Sequence, residues 1–157
     1  MTPLFKKLNY KDQKVIFVQN PPEEFSREMS SMSAFCPVET QLPAKNNKIG
    51  FILIFVTRLE EIEQSVKQIF PLLEEDAVLW YAYPKASSKK YKCEFNRDTG
   101  WNILGEYQLE PVRQVAVDED WSALRFRKVE FIKNFTRNEA MILSEKGREK
   151  RKGKSGL

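Results

Sequence analysis

Hydrophobic positions in this chain follow two patterns, continuous apolar runs and a recurrence at steps of three and four residues. Together they predict strands alternating with helices. Residues 49–56 form an apolar run interrupted only by Gly50, which is typical of a strand buried on both faces of a parallel sheet. In the next segment, apolar residues recur at steps of three and four: Leu59, Ile62, Val66, Ile69 and Leu73. This spacing predicts an amphipathic helix that lies on the sheet, and the capping-box spacing of Thr57 and Glu60 predicts where that helix begins.

Shorter segments of both kinds flank this strand and helix. Residues 14–18 and 77–83 are rich in β-branched and aromatic side chains and predict strands, and residues 38–42 predict a short edge strand. Residues 20–25 predict a turn that leads into a helix, because proline and acidic residues favour a helix start. Residues 97–107 predict a short helix whose apolar side chains face inward.

The last two predicted strands, residues 112–118 and 123–129, lie a hairpin length apart and should be antiparallel neighbours. The order of the elements predicts an α/β fold with three layers, in which an open and mostly parallel sheet ends in a C-terminal antiparallel hairpin. We expect one domain over residues 1–137. A basic tail follows over residues 138–157, in which residues 139–144 predict a weak helix.

Charge is distributed unevenly between the predicted domain and the tail. The chain carries a net charge of +4, of which residues 138–157 contribute +3, because six Lys or Arg outnumber three Glu there. The basic isoelectric point is therefore no evidence for a basic binding face on the domain. The tail is expected either to increase solubility or to contact nucleic-acid phosphates, and its lack of aromatic side chains argues against recognition of specific bases.

The absence of histidine narrows the chemistry that the chain could perform. It removes imidazole acid–base catalysis and histidine-containing metal sites. Cys36 and Cys93 are too few for a disulfide framework or a zinc site, so no metal or cofactor is predicted. No apolar run reaches the roughly 18–20 residues of a membrane span, and residues 1–7 lack the apolar core of a signal peptide. We therefore expect a cytoplasmic protein.

The segment after the first predicted strand argues against a nucleotide bound in the usual way. Such a site needs glycines at this point, so that backbone N–H groups can approach the ligand. Here Pro21 and Pro22 have no N–H group, and Glu23 and Glu24 place negative charge where a phosphate would lie.

Two other segments follow strands whose carboxyl ends should meet at one edge of the sheet, where open parallel sheets bind their ligands. Residues 85–92 carry four Lys, two Ser and a Tyr, which either suit an anion or form a solvated loop. Residues 118–122 carry three acids before Trp121. These acids could bind a cation, pair with the lysines of residues 85–92, or include a general base. Alternatively, they form only the tip of a hairpin. Arg125 is expected to pair with one of them.

Two longer stretches resemble a known family. Residues 79–88, LWYAYPKASS, and residues 118–126, DEDWSALRF, are similar to the motifs of a widespread family of small bacterial proteins catalogued only as a domain of unknown function. Tyr83 and Ala123 depart from the Trp and Gly that are usual in those motifs. The resemblance covers residues 8–128 and implies a Rossmann-like fold, similar to the back half of class I methyltransferases without the glycine-rich loop. It implies no activity.

Three hypotheses of function follow from these features. The first is a Rossmann-like domain that binds a small zwitterionic or anionic molecule, or a partner protein, in a polar cleft at the sheet edge. The second is association with nucleic acid through the lysines of residues 89–92 and the tail. The third is an enzyme with Asp118 or Glu119 as the base and Lys85 as its electrostatic partner. The residues expected to line the cleft are Lys85, Ser87, Ser88, Asn96, Arg97, Asp118, Glu119, Trp121 and Arg125.

Overall fold

The predicted alternation of strands and helices is present in the computed structural model, which describes residues 1–132 together with Leu143, Ser144 and Gly147. Its elements, in chain order, are α1 (Pro3–Lys7), β1 (Ile16–Gln19), α2 (Ser26–Ser33), β2 (Val38–Glu39), β3 (Ile49–Phe55), α3 (Leu59–Ile69), β4 (Leu73–Pro84), α4 (Asn102–Gly105), β5 (Leu109–Ala116) and β6 (Trp121–Lys128).

The six strands form one open sheet in the order β2-β1-β3-β4-β6-β5. The pairs β1–β2, β1–β3 and β3–β4 are parallel. β6 is antiparallel to both of its neighbours, β4 and β5, so β5 runs in the same direction as β4. The predicted fold class is therefore confirmed, since the sheet is mostly parallel and ends in an antiparallel hairpin.

Alternate residues of the central strand β3 point to opposite faces of the sheet, and different helices cover those faces. Ile52 and Ile54 belong to the core cluster that contains α3 and α4. Phe51, Leu53 and Phe55 belong to the cluster that contains α1 and α2. β3 is thus buried on both sides, which explains its continuous apolar run. We refer to the two sides of the sheet as the α3 face and the α1 face.

Two buried side chains of β4 each join one face to a helix. The indole N–H of Trp80 donates to the carbonyl of Leu8 at the end of α1 (2.8 Å). On the other face, the Tyr81 hydroxyl shares a hydrogen bond with the Ser65 hydroxyl of α3 (2.9 Å), and burial raises the pKa of Tyr81. Because buried polar groups need partners, each contact fixes the position of its helix on the sheet.

The start of α3 differs from its prediction. The carboxylate of Glu61, and not that of Glu60, accepts the backbone N–H groups of Thr57 (2.8 Å) and Arg58 (3.0 Å). The helix therefore begins one residue later than the predicted capping box. Leu59 was predicted to face the sheet, but it is 46% exposed, because the first turn of α3 lies at the edge of the sheet.

Two short helices also differ from the predictions. The helix predicted over residues 97–107 is reduced to α4, because Gly100 adopts a left-handed conformation (φ 93°) just before it. The helix α1 was not predicted, although Thr2 caps it by accepting the Phe5 N–H group on its hydroxyl (3.3 Å). The tail predicted over residues 138–157, with its weak helix, lies outside the described residues apart from three positions.

We expect the buried side chains of α3 to provide most of the stability that this helix contributes. Ile62→Ala should lower the free energy of unfolding by about 2–4 kcal/mol, because it removes most of a fully buried side chain and leaves a cavity in its place. Leu59→Ala is the matched control in the same helix and should cost less than about 1 kcal/mol. Urea unfolding followed by circular dichroism measures both losses, and equal losses would contradict this placement of α3.

Candidate functional site

The loop after β4 and the turn between β5 and β6 meet at the carboxyl edge of the sheet. The backbone N–H of Lys85 donates to the carbonyl of Asp120 (2.8 Å), and the Ser88 hydroxyl donates to the Asp120 carboxylate (2.8 Å). These contacts continue the antiparallel pairing of Tyr83 with Ser122 in the adjoining strands. The two segments that resemble the family motifs are therefore neighbours in space.

A wide cleft of about 1010 Å³ opens beside this junction. The ends of β4, β5 and β6 form its floor, and the loop over residues 85–99 forms its wall. The polar side chains that line it are Tyr83, Lys85, Ser88, Tyr91, Lys92, Cys93, Glu94, Asn96, Arg97, Asp98, Thr99, Gln114 and Ser122. We refer to it as the β4–β6 cleft.

The floor of the β4–β6 cleft is a hydrogen-bonded set of polar side chains. The amide nitrogen of Gln114 donates to the hydroxyl oxygens of Tyr83 and Ser122, both at 3.0 Å. Its carbonyl oxygen accepts from the Arg97 guanidinium (3.4 Å). Tyr83 and Ser122 therefore present their hydroxyl groups side by side at the cleft floor, both bonded to one amide group.

Two titratable groups on the cleft, Tyr83 and Cys93, are held in their protonated forms. Burial raises the pKa of the Tyr83 hydroxyl, and burial also raises the pKa of the Cys93 thiol. A protonated thiol is a weak nucleophile, since the thiolate is the reactive species. Near neutral pH, these two groups therefore offer hydrogen-bond donors and no activated nucleophile.

The charged side chains of the cleft leave an excess of positive charge. Asp98 pairs with Arg97 (3.5 Å), and the Glu94 carboxylate accepts a backbone N–H at the start of α3 (3.0 Å). Within residues 1–132, Lys85 and Lys92 form no ion pair. Two ammonium groups are thus available to an anion, whereas both carboxylates are already engaged.

The N-terminus of α3 is occupied by carboxylates of the chain itself. Helix N-termini attract anions, because their first N–H groups have no partner within the helix. Here Glu61 accepts from Thr57 and Arg58, and Glu94 accepts from Leu59. A phosphate would have to displace both carboxylates to bind at this position.

On the α1 face, aromatic side chains lie over the carboxyl ends of β1 and β3. The Trp121 ring packs against Phe55 and Tyr91, with ring centroids 5.0 Å and 4.8 Å apart. Phe55 in turn packs against Phe25 at 4.9 Å. The Tyr91 hydroxyl donates to the Glu24 carboxylate, and we refer to this contact as the Tyr91–Glu24 bridge.

The Tyr91–Glu24 bridge spans the crevice at which the strand order changes direction, with β2 beyond β1 on one side and β4 beyond β3 on the other. Open α/β sheets bind their ligands in such a crevice. Here the rings of Tyr91 and Trp121 lie across it. They add a second obstacle to a nucleotide, besides the missing N–H groups of Pro21 and Pro22.

The structure distributes the nine predicted site residues over both faces of the sheet. Four of them line the β4–β6 cleft: Lys85, Ser88, Asn96 and Arg97. Ser87 is exposed in the same loop, and Glu119 is exposed at the tip of the hairpin. Trp121 lies in the core of the α1 face, and Arg125 is directly opposite Trp80 on that face.

Some of these nine side chains have structural roles in turns. The Asp118 carboxylate accepts the backbone N–H groups of Asp120 and Trp121, both at 2.8 Å. Asn96 likewise accepts two N–H groups in the turn that follows it. Among the described residues, Arg125 forms no ion pair with a carboxylate of the hairpin turn, because it lies five positions along β6 from Asp120.

Sequence reasoning did not single out the residues of the cleft floor. Gln114 is opposite Leu124 in β6, and Ser122 is opposite Tyr83 in β4. No local pattern marks these positions, because their shared direction depends on cross-strand register. The available signal is weak and consists of a polar residue at a strand position whose neighbours on the same face are apolar.

Neither a cluster of metal ligands nor a membrane-spanning helix is present in the part of the chain that the structure describes. No three His, Cys, Asp or Glu side chains there lie close enough together to hold a metal ion. No helix there has the length and apolar character needed to cross a membrane.

The strand order and directions define this protein as an open, mostly parallel α/β domain of the Rossmann-like class. No protein-family model matches the sequence, and a search of curated proteins gives no match. Several solved structures show a distant likeness. A protein in the NADB-Rossmann superfamily from Streptococcus agalactiae has 10% identity and a TM-score of 0.46, over 82% of this chain and 68% of that chain.

Two methyltransferase structures show a likeness of the same degree. A putative type 11 methyltransferase from Sulfolobus solfataricus has 8% identity and a TM-score of 0.48, over 80% of this chain and 91% of that one. A SAM-dependent methyltransferase from Aquifex aeolicus has 11% identity and a TM-score of 0.46, over 78% and 86%. At these values the likeness says nothing about the activity of this protein, and its fold class follows from its own strand order.

The Tyr91–Glu24 bridge should make the stability of the protein depend on acid pH. The hydrogen bond from Tyr91 lowers the pKa of Glu24 below its ordinary value of 4.5 and raises the pKa of Tyr91 to about 12. A carboxyl group with a lowered pKa stabilises the fold fully above its ordinary pKa, and this contribution is lost as the pH falls through the lower value. Tyr91→Phe should therefore cost up to about 1 kcal/mol at pH 7, and less at pH values below 4.

Urea unfolding at a series of pH values measures this difference. Tyr10→Phe is the matched control, because the Tyr10 hydroxyl donates to the backbone carbonyl of Gln13 and not to a carboxylate. Its cost should not change over the same acid range. A cost of Tyr91→Phe that stays constant from pH 7 to pH 3 would contradict the bridge.

Proposed function

We propose that this protein binds a small anionic or zwitterionic molecule in the β4–β6 cleft, and that it acts as a binding domain and not as an enzyme. The observation that carries the proposal is the hydrogen-bonded floor of Tyr83, Gln114 and Ser122, which lies in the same cleft as two unpaired lysines. Concave sites with a few convergent polar groups are the usual place for small-molecule ligands.

The unpaired lysines favour a ligand with at least one carboxylate or phosphate group. Lys85 is anchored to the hairpin through its backbone N–H, so its side chain starts from a fixed point on the cleft. Lys92 reaches the same cleft from the loop wall. Charge-assisted hydrogen bonds from two ammonium groups are stronger than neutral ones, and they would orient an anionic group of the ligand.

The floor would recognise the rest of the ligand through hydrogen bonds. Burial raises the pKa of Tyr83, so its hydroxyl stays protonated and lies beside the Gln114 amide at the floor. Arg97 contacts Gln114 and Asp98 at the edge of this floor and adds a guanidinium group to the cleft. An amino group of a zwitterionic ligand would compete with Arg97 for the Asp98 carboxylate at the same wall.

The surroundings of the carboxylates and the thiol support binding and not catalysis. A general base must lie within hydrogen-bond reach of its substrate and have a suitable pKa. Asp118 accepts two backbone N–H groups in the hairpin turn, and Glu119 is exposed at its tip. The Cys93 thiol is kept protonated by burial. These groups are poorly placed for the roles of base and nucleophile.

We also infer that the protein belongs to the small bacterial family whose motifs it resembles, and that it is cytoplasmic. Contacts between the two motif segments support the family assignment. Lys85 and Ser88 of the first segment bond to Asp120 of the second, and Tyr91, just after the first, packs on Trp121. The two segments that resemble the motifs thus meet at one junction, as linked motifs would.

Contact with nucleic acid is a second candidate function, favoured by the exposed lysines beside the cleft. Lys89 and Lys92 form no ion pair within residues 1–132, whereas Lys90 lies 3.6 Å from the Glu24 carboxylate. Phosphate contacts release counterions, so affinity for a random-sequence oligonucleotide should fall several-fold between low and moderate salt. Fluorescence anisotropy measures this affinity, and binding that does not change with salt would rule this function out.

Ligand binding in the cleft should be detectable as thermal stabilisation of the full chain. A panel of amino acids, dicarboxylates and phosphate monoesters should contain compounds that raise the melting temperature, because a ligand that binds only the folded state stabilises it. Lys85→Met removes the charge and keeps most of the side-chain length. It should weaken binding of such a compound by roughly five- to tenfold.

Lys67→Met is the matched control, because Lys67 is an exposed lysine of α3 outside the cleft. It should leave the affinity unchanged. The proposal fails if no compound in the panel stabilises the protein at millimolar concentration, or if Lys67→Met and Lys85→Met weaken binding equally.

A further inference from the structure

A second positively charged site lies on the α1 face, on the other side of the sheet from the cleft floor. Arg113 of β5 and Arg125 of β6 are directly opposite each other in the antiparallel pair. Their side chains therefore point to the same face, with Cβ atoms about 5 Å apart. Arg125 is also opposite Trp80 of β4, so it lies in the middle strand of the three.

The carboxylates nearest to this arginine pair are engaged with other partners. Asp76 accepts two hydrogen bonds from Arg127, at 2.8 Å and 2.7 Å. Glu110 is opposite Arg127 in the sheet, but it is fully buried and accepts backbone N–H groups of two residues near the C-terminus. Within the described part of the chain, Arg113 and Arg125 form no ion pair.

Arg125 is incompletely solvated and lacks a compensating charge of its own. Its Nε atom is shielded from solvent and has no hydrogen-bond partner among the described residues. Desolvation, followed by the charges of Arg127 and Arg113, lowers the pKa of Arg125, and only Asp76 opposes this effect. A buried donor without a partner and two like charges in direct opposition both destabilise a sheet. An anion between the two guanidinium groups would relieve the repulsion between the two charges.

The end of α1 adds positive charge to the same side. The Leu8 carbonyl accepts the indole N–H of Trp80, so the end of this helix lies over the strand next to Arg125. Its last turn carries Lys6 and Lys7, and both are exposed. Lys6 and Lys7 therefore lie on the same side of the sheet as the arginine pair.

We propose that Arg113 and Arg125 form a clamp for a phosphate group, carried either by a small phosphorylated molecule or by inorganic phosphate. A guanidinium group presents paired N–H donors in a planar fork that matches two phosphate oxygens. Two such groups on neighbouring strands hold a dianion from two sides. The clamp is independent of the proposed cleft function, because it lies on the opposite face and shares no residue with the cleft.

Titration with inorganic phosphate, followed by the arginine Nε–H signals in NMR spectra of the full chain, tests the clamp. The Arg125 and Arg113 signals should shift in a saturable manner at millimolar phosphate. Acetate at matched ionic strength should not reproduce these shifts. The clamp is excluded if the Arg125 signal stays unchanged or moves equally with acetate. A shift confined to Arg97 would favour the cleft and overturn the clamp.

Neutral variants of similar shape test which arginines are responsible. Arg125→Met and Arg113→Met should each weaken phosphate binding by roughly tenfold or more, because each removes charge-assisted hydrogen bonds. Arg97→Met, which changes an arginine of the cleft, should leave this affinity unchanged. Arg125→Met should also melt at an equal or higher temperature than the parent protein in anion-free buffer. If Arg125→Met folds poorly, the exposed Arg113 gives the same test. Unchanged affinity in the folded variants would overturn the clamp.

A comparison of inorganic phosphate with glycerol 3-phosphate identifies the source of the phosphate group. Tighter binding of the ester supports a small phosphorylated molecule as the ligand, and tighter binding of inorganic phosphate supports the free ion. If neither compound shifts the Arg125 signal, the clamp is wrong. That result would leave the proposed cleft function untouched, because the cleft is tested with other residues.

Discussion

The antiparallel insertion of β6 between β4 and β5 is the constraint on which both candidate sites depend. Because β6 pairs with both neighbours, the turn after β5 returns to the carboxyl end of β4. There the hydrogen bond between the Lys85 N–H and the Asp120 carbonyl joins the turn to the loop that follows β4. The β4–β6 cleft opens beside this junction, and Arg113 and Arg125 lie further along β5 and β6 on the opposite face of the sheet. A hairpin with a different partner strand would form neither.

Alternate side chains of β6 point to opposite faces of the sheet and so lie in two chemical environments. Ser122 and Leu124 face the same side as the cleft floor and the α3 core, whereas Ala123 and Arg125 face the α1 side. The two faces also differ in how their charges are compensated. In the cleft, Asp98 lies beside Arg97, but next to the arginine pair Asp76 is bonded to Arg127 and Glu110 to backbone N–H groups. One strand thus contributes to two surfaces with different charge environments.

The order and type of the main elements could be predicted because local patterns agree with their surroundings, as in β3, which is apolar and buried on both faces. The start of α3 was predicted one residue early, since Glu60 and Glu61 are both placed to cap it and only the fold selects between them. In the candidate site, Lys85 and Arg97 could be anticipated from their positions after strands. Gln114 could not, because its role arises from a register that no local pattern encodes.

The filled crevice at the ends of β1 and β3 bears on how readily this fold could evolve a nucleotide site. Glycines in place of Pro21 and Pro22 would restore the N–H groups and flexibility of the first turn, yet the rings of Tyr91 and Trp121 would still occupy the approach. Removing Trp121 alone would expose the core around Phe55 and cost stability without creating a site. Changes in three separate segments, at residues 21–22, 91 and 121, would have to occur together. The packing therefore raises an evolutionary barrier that the change of the turn residues alone would not overcome.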